Sequence, residues 1–115
     1  MTDTMTAISV TFCRDRGPKS QVAPLAPLPP ELWEQFRAGV AAALEAIPAR
    51  ETEHREGHTI WDGRPEWCLT ISRLWATPTP EQMAALQARL AELAALGDQV
   101  AVVLHEERRH LILAA

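Results

Sequence analysis

Thr59 to Trp75, TIWDGRPEWCLTISRLW, holds three of the four tryptophans of this chain around an Asp-Gly-Arg-Pro turn signal. Beyond the turn, Trp67, Leu69 and Ile71 alternate with Cys68, Thr70 and Ser72. In an extended strand successive side chains point to opposite faces, so the segment reads as two strands joined by a turn. Its register decides where Trp61 goes. A four-residue connection, Asp62 to Pro65, pairs Ile60 with Trp67 and turns Trp61 to the face away from the core. A five-residue connection pairs Trp61 with Trp67 and buries both, because one residue of slip exchanges the faces. The four-residue form is the expectation, since it buries Ile60 and keeps Asp-Gly inside the turn.

The flanking segments supply the partners of this hairpin. AISVTFC (Ala7 to Cys13) alternates Ile8, Val10 and Phe12 against Ser9, Thr11 and Cys13, a half-buried strand. A proline-rich loop at about 14–29 follows, and Pro29-Pro30 open a helix, where a missing N–H costs nothing. In that helix Trp33, Phe36, Val40, Ala43, Leu44 and Ile47 recur at three- and four-residue spacing, with Pro48 just beyond. ARETEHREG then reads as a polar connection. After the hairpin, Thr79-Pro80-Glu81-Gln82 gives an N-cap, a first-turn proline and a capping-box glutamine. Met83, Leu86, Leu90 and Leu93 form the buried stripe of a second helix, and Gly97 stands at its C-terminal cap. VAVVLHEERRHLILAA, two apolar runs around a charged centre, reads as a terminal hairpin.

The order strand, helix, strand, strand, helix, strand is that of the ferredoxin-like split βαβ arrangement: an α+β fold with two helices on one face of an antiparallel sheet, here with an extra C-terminal hairpin strand. Residues 1–115 form one domain, long enough for a hydrophobic core without metal or disulfide. The first and third strands are expected side by side and parallel. Cys13 would then close one strand where Cys68 opens the other, roughly five residues or about 17 Å apart, and the two should neither bridge nor share a metal.

A net charge of -4 argues against nucleic acid as the main partner, which calls for a clustered basic face. No apolar run reaches membrane-spanning length. No secretory leader is visible, so the chain reads as cytoplasmic with reduced thiols, and its GC-rich residue usage suits a bacterial or phage source. HEERRH (His105 to His110) imitates the helical zinc-protease motif, but its histidines are five apart and its flanks are strand-like. Catalytic, cofactor-binding and metal residues are all expected to be none. The P-x-x-P spacing in APLAPLPP could dock on an aromatic groove, but reads first as a stiff connector.

Two surfaces remain. On the second helix Ala84, Ala88, Ala91 and Ala95 fall opposite the buried stripe, a thin face open to close approach. On the hairpin, Trp61 flanked by Arg64 and Glu66 is the aromatic anchor. The leading expectation is a non-enzymatic protein-binding module, an inhibitor or accessory protein of a phage or other mobile element, acting on a protein partner or by self-association. The alternative is a small-ligand sensor or small enzyme, with a pocket at the open sheet face or a dimer seam and with Cys68, His105 and His110 converging there.

Overall fold

The computed structural model describes residues 2–17, 20, 22–61, 63–97 and 102–114, the side chains of Thr2, Thr59, Trp61 and Arg64 excepted. Four strands and two helices alternate along it: β1 (Thr2–Cys13), α1 (Pro30–Glu45), β2 (Glu51–Trp61), β3 (Arg64–Leu74), α2 (Pro80–Leu96) and β4 (Val103–Ile112). The sheet order is β2-β3-β1-β4 and every pairing is antiparallel. This is the ferredoxin-like arrangement, with both helices on one face.

The core is where the sequence alternation places it. Ile8, Val10 and Phe12 of β1 and Leu69 and Ile71 of β3 meet Phe36, Val40, Leu44 and Ile47 around α1, and Leu86, Leu90 and Leu93 of α2. The Phe12 and Phe36 rings stack at 5.1 Å, with Trp33 at 5.5 Å from Phe12. The capping box of α2 forms as its sequence requires: Thr79 accepts from the Gln82 N–H at 3.1 Å, and the Gln82 side chain accepts from the Thr79 N–H at 2.8 Å. The carbonyl of Ile47, just past α1, takes two hydrogen bonds from the Arg73 guanidinium. Gly97 does end α2, but with φ of -83° it needs no left-handed conformation. It is small because a Cβ there would lie 1.9 Å from the Phe36 ring.

Several expectations are overturned. ETEHREG is not a connection; it is most of β2, an edge strand whose backbone pairs with β3 while its side chains reach water on both faces. The hairpin joint is shorter than either alternative: Ile60 pairs with Pro65 and Trp61 with Arg64, leaving Asp62-Gly63 as a two-residue turn. Gly63 takes φ of +75°, as such turns require, and Asp62 lies outside the described residues. Ile60 is accordingly not buried but 70% exposed, because this part of the hairpin runs past the end of β1 and the helices. The terminal hairpin is also absent, since VLHEERRHLI is one continuous strand along β1 from Val103 to Ile112. Charge at its centre does not break it, because an edge strand keeps access to solvent. The proline-rich loop is a tied connector: Asp15 bridges Pro27, Arg14 and Leu28 share a backbone bond, and Leu28 enters the core.

The registers also fix the outline. β1 meets β3 only over Ala7–Cys13, yet meets β4 over Thr2–Thr11, while β2 meets β3 up to the turn. Two-stranded arms therefore project from opposite ends of a short four-stranded centre. The radius of gyration, 15.4 Å, exceeds the roughly 13 Å of a compact domain of this length. Overpacking in the centre is costly, so Gly97→Ala should lower unfolding free energy by about 1–3 kcal/mol in urea titration, and Thr79→Ala by about 1 kcal/mol.

Candidate functional site

The face of the sheet away from the helices is built from the odd-numbered residues of β1 and the even-numbered residues of β3. Four cross-strand pairs run down its middle: Ala7–Leu74, Ser9–Ser72, Thr11–Thr70 and Cys13–Cys68. Most of these residues are small, each polar pair closes on itself, and toward β2 the face holds a concavity of about 330 Å³ at Thr11, Thr70, Cys68, Arg55 and Gly57. The Ser9 and Ser72 hydroxyls are hydrogen-bonded at 2.7 Å and those of Thr11 and Thr70 at 2.8 Å. Cys13 and Cys68 are joined in a disulfide, with Cα atoms 4.2 Å apart. The expectation of separated, reduced thiols was wrong because β1 and β3 run antiparallel. Reversing one strand brings the two ends carrying cysteine together.

Charged rows flank this middle. Glu53 and Arg55 stand on β2, and His105, Glu107 and Arg109 on β4. Arg109 donates to Glu107 at 2.5 Å, and that hydrogen bond holds the Glu107 carboxyl below the usual carboxylate range. At the β1–β4 end the face turns apolar, where Met5, Ala7 and Leu74 form a small cluster under Trp75. Trp75 has a left-handed backbone (φ +57°), and the Arg50 guanidinium lies 4.8 Å from its ring centre. Beside it a cleft of about 480 Å³ is lined by Thr4, Met5, Pro48, Arg50, Trp75 and Thr77, among others.

The proposed site residues do not share one surface. Ala84, Ala88, Ala91 and Ala95 are all exposed on the outside of α2, across the helical layer from the open sheet face. Trp61 and Arg64 are backbone partners at the tip of the β2–β3 arm, at register positions on the open-face side, and their side chains lie outside the described residues. Glu66 is buried at 8% exposure, so it is not the exposed flank that was expected. Trp67 is half-buried and meets the His58 ring edge-on at 4.9 Å, on the arm rather than in the centre of the core.

Cys68, His105 and His110 do not converge. Cys68 is disulfide-bonded, His105 lies opposite Ser9 on the open face, and His110 is on the other side of the sheet, 3.4 Å from the Thr4 hydroxyl. Among the described residues no three His, Cys, Asp or Glu side chains are grouped to hold a metal, and no helix is long and apolar enough to cross a membrane. The self-paired hydroxyl ladder escaped the sequence reading, though its signal was present: facing runs of small polar residues on two strands, which only a correct strand direction brings opposite each other.

No family model and no curated protein matches the sequence. Among solved structures, a phage SAM lyase in complex with S-methyl-5'-thioadenosine is similar, with TM-score 0.51 and 12% identity over 94% of this chain and 89% of that one. A dimeric ferredoxin-like protein of unknown function from Thermobifida fusca YX is 12% identical, covering 90% of each chain at TM-score 0.45. At these identities the likeness reaches the fold alone.

The disulfide generates a direct test. Thiol titration under denaturing conditions should find no free cysteine before reduction and both after it. Reduction should cost about 2–4 kcal/mol of stability.

Proposed function

We propose that this protein is a protein-binding module that docks a partner on the open sheet face and the adjoining β2–β3 arm. The observation that carries this reading is the ladder of closed polar pairs, Ser9–Ser72, Thr11–Thr70 and Cys13–Cys68. Burying a polar group is costly mainly when it loses water and gains nothing. Here the hydroxyls already hold one another, so a partner can cover the face at small desolvation cost. The same pairing speaks against these groups as nucleophiles, since none is held by a base. The charged rows on β2 and β4 make a polar rim, and Trp61 with Arg64 at the arm's tip is the proposed anchor. The exposed alanines of α2 offer a second, separate contact.

An inhibitor or accessory role in a phage or other mobile element fits this reading, and the fold is shared by a phage protein. Cytoplasmic action is part of the proposal. The Cys13–Cys68 disulfide pulls the other way, because such bonds persist chiefly in oxidising compartments; alkylating thiols in intact cells would decide.

Small-ligand binding is the second reading, favoured by the cleft of about 480 Å³ at Arg50 and Trp75, a size ordinary for ligand sites. S-methyl-5'-thioadenosine, which the phage lyase holds, is the first compound to titrate against it by calorimetry, with Arg50→Ala as control.

Docking is tested by capturing a stoichiometric partner and measuring its affinity for variants that keep the helix-side core. Thr70→Arg, which raises a bulky cation in the middle of the open face, and Trp61→Ala at the arm should each weaken binding tenfold or more, about 1.4 kcal/mol. Unchanged affinity in both would move the site elsewhere, with Ala88→Arg the next variant to measure.

A further inference from the structure

β4 is an edge of the sheet with ten residues, and over much of its length its one neighbour is β1, which there has no β3 beside it. A two-stranded ribbon in water is marginal. Long edges are commonly blunted by charge, since a row of one sign repels an incoming strand. The charge on this edge is of a different kind: Glu106-Glu107-Arg108-Arg109, acid followed by base, which an antiparallel copy of itself complements.

The backbone phase shows which groups are on offer. Arg14 N–H bonds the Trp67 carbonyl, so even-numbered β1 residues bond toward β3 and odd-numbered ones toward β4. On β4 the odd-numbered residues are thereby used, and Leu104, Glu106, Arg108, His110 and Ile112 turn their N–H and C=O outward. A two-fold axis normal to the sheet pairs odd residues with odd and even with even, which leaves few registers. Centred on Glu107, the register sets Glu106 against Arg108, but it also sets Glu107 against itself, His105 against Arg109 and Leu104 against His110, and it leaves Ile112 beyond the end of the partner's β4. Centred on Arg109, it sets Arg108 against His110 and Glu106 against Ile112. Centred on Arg108, it places Glu107 opposite Arg109, Glu106 opposite His110, and Leu104 opposite Ile112, each pair occurring twice. Arg108 meets its own copy, with Glu106 of each chain diagonal to it. That register also gives Ile112, 79% exposed in the single chain, an apolar partner.

We propose that a second copy of this chain pairs on β4 in the Arg108-centred register, joining two sheets into one of eight strands. About ten inter-chain backbone hydrogen bonds form, and each β1–β4 arm gains a neighbour on its β4 side, so that it continues the partner's sheet instead of standing alone. The other edge, β2, does not offer this: its ETEHREG carries three glutamates against one arginine, so a copy of itself is repelled. The inference stands on the β4 edge alone and is independent of docking on the open face.

Sedimentation velocity and a cysteine scan test it on the full chain. Arg108→Cys introduces the sole free thiol, opposite its own copy at roughly 5.5 Å between Cα atoms, and mild oxidation should convert it to a covalent dimer. Glu106→Cys, whose two copies lie four residues or about 13 Å apart, should not cross-link. Arg109→Glu sets carboxylates against each other and should weaken the dimer roughly tenfold or more, whereas the exchange Glu107→Arg with Arg109→Glu restores both the internal and the inter-chain pairs and should return it. Circular dichroism confirms that each variant is folded, and the cross-link reports register directly, through the proximity of two thiols rather than through dimer strength. A wild-type monomer at high concentration, cross-linking of Glu106→Cys as efficient as that of Arg108→Cys, or a dimer indifferent to Arg109→Glu would overturn the proposal while leaving open-face docking untouched.

Discussion

Antiparallel pairing of β1 with β3 over Ala7–Cys13 is the constraint on which the rest of the structure depends. On one side it sets Ile8, Val10 and Phe12 beside Leu69 and Ile71, the floor on which both helices rest. On the other it sets serine against serine, threonine against threonine and cysteine against cysteine. A single register thus serves core formation and creates the polar ladder. A slip of one residue would send the hydroxyls under the helices and the core to solvent. The disulfide fixes that register covalently at one end. At the other, Trp75 closes over Met5 and Leu74, and Arg73 reaches under the sheet to the carbonyl of Ile47 past α1.

What the sequence disclosed was decided by how local the determining physics is. The capping box at Thr79, the proline start of α1 and the buried stripes of both helices need only neighbours within a few residues, and all were legible. The two edge strands were not. ETEHREG and HEERRH have the polarity of loops, and they are strands because a neighbouring strand satisfies their backbones, which no local pattern reveals. Strand direction was the costliest error. The expected element order already implied that β1 and β3 oppose each other, and reading them as parallel moved Cys13 away from Cys68. The alanine face of α2 was legible from helical spacing alone, but its separation from the hairpin anchor depends on the layering of the whole domain.

Sheet and helices differ in extent. The helices cover a short centre, and strands from two opposite corners run on past it as arms. Each arm presents backbone and side chains to solvent without a layer beneath, which is where Ile60 and Ile112 become exposed. The pairing proposed for β4 rests on one of these arms, and the docking proposed for the open face rests on the polar ladder of the centre together with the other arm.

The bond between Cys13 and Cys68 has a topological consequence. It closes residues 13 to 68 into a covalent ring that takes in the proline-rich loop, α1, β2 and the hairpin tip, leaving α2 and β4 on one tail and most of β1 on the other. Proteases cut first at loops, and two connections, the proline-rich loop and the joint between β2 and β3, lie inside the ring. A cut at either one opens the ring without parting the chain, so both fragments stay attached. Anywhere within the ring, a single cleavage cannot divide the molecule.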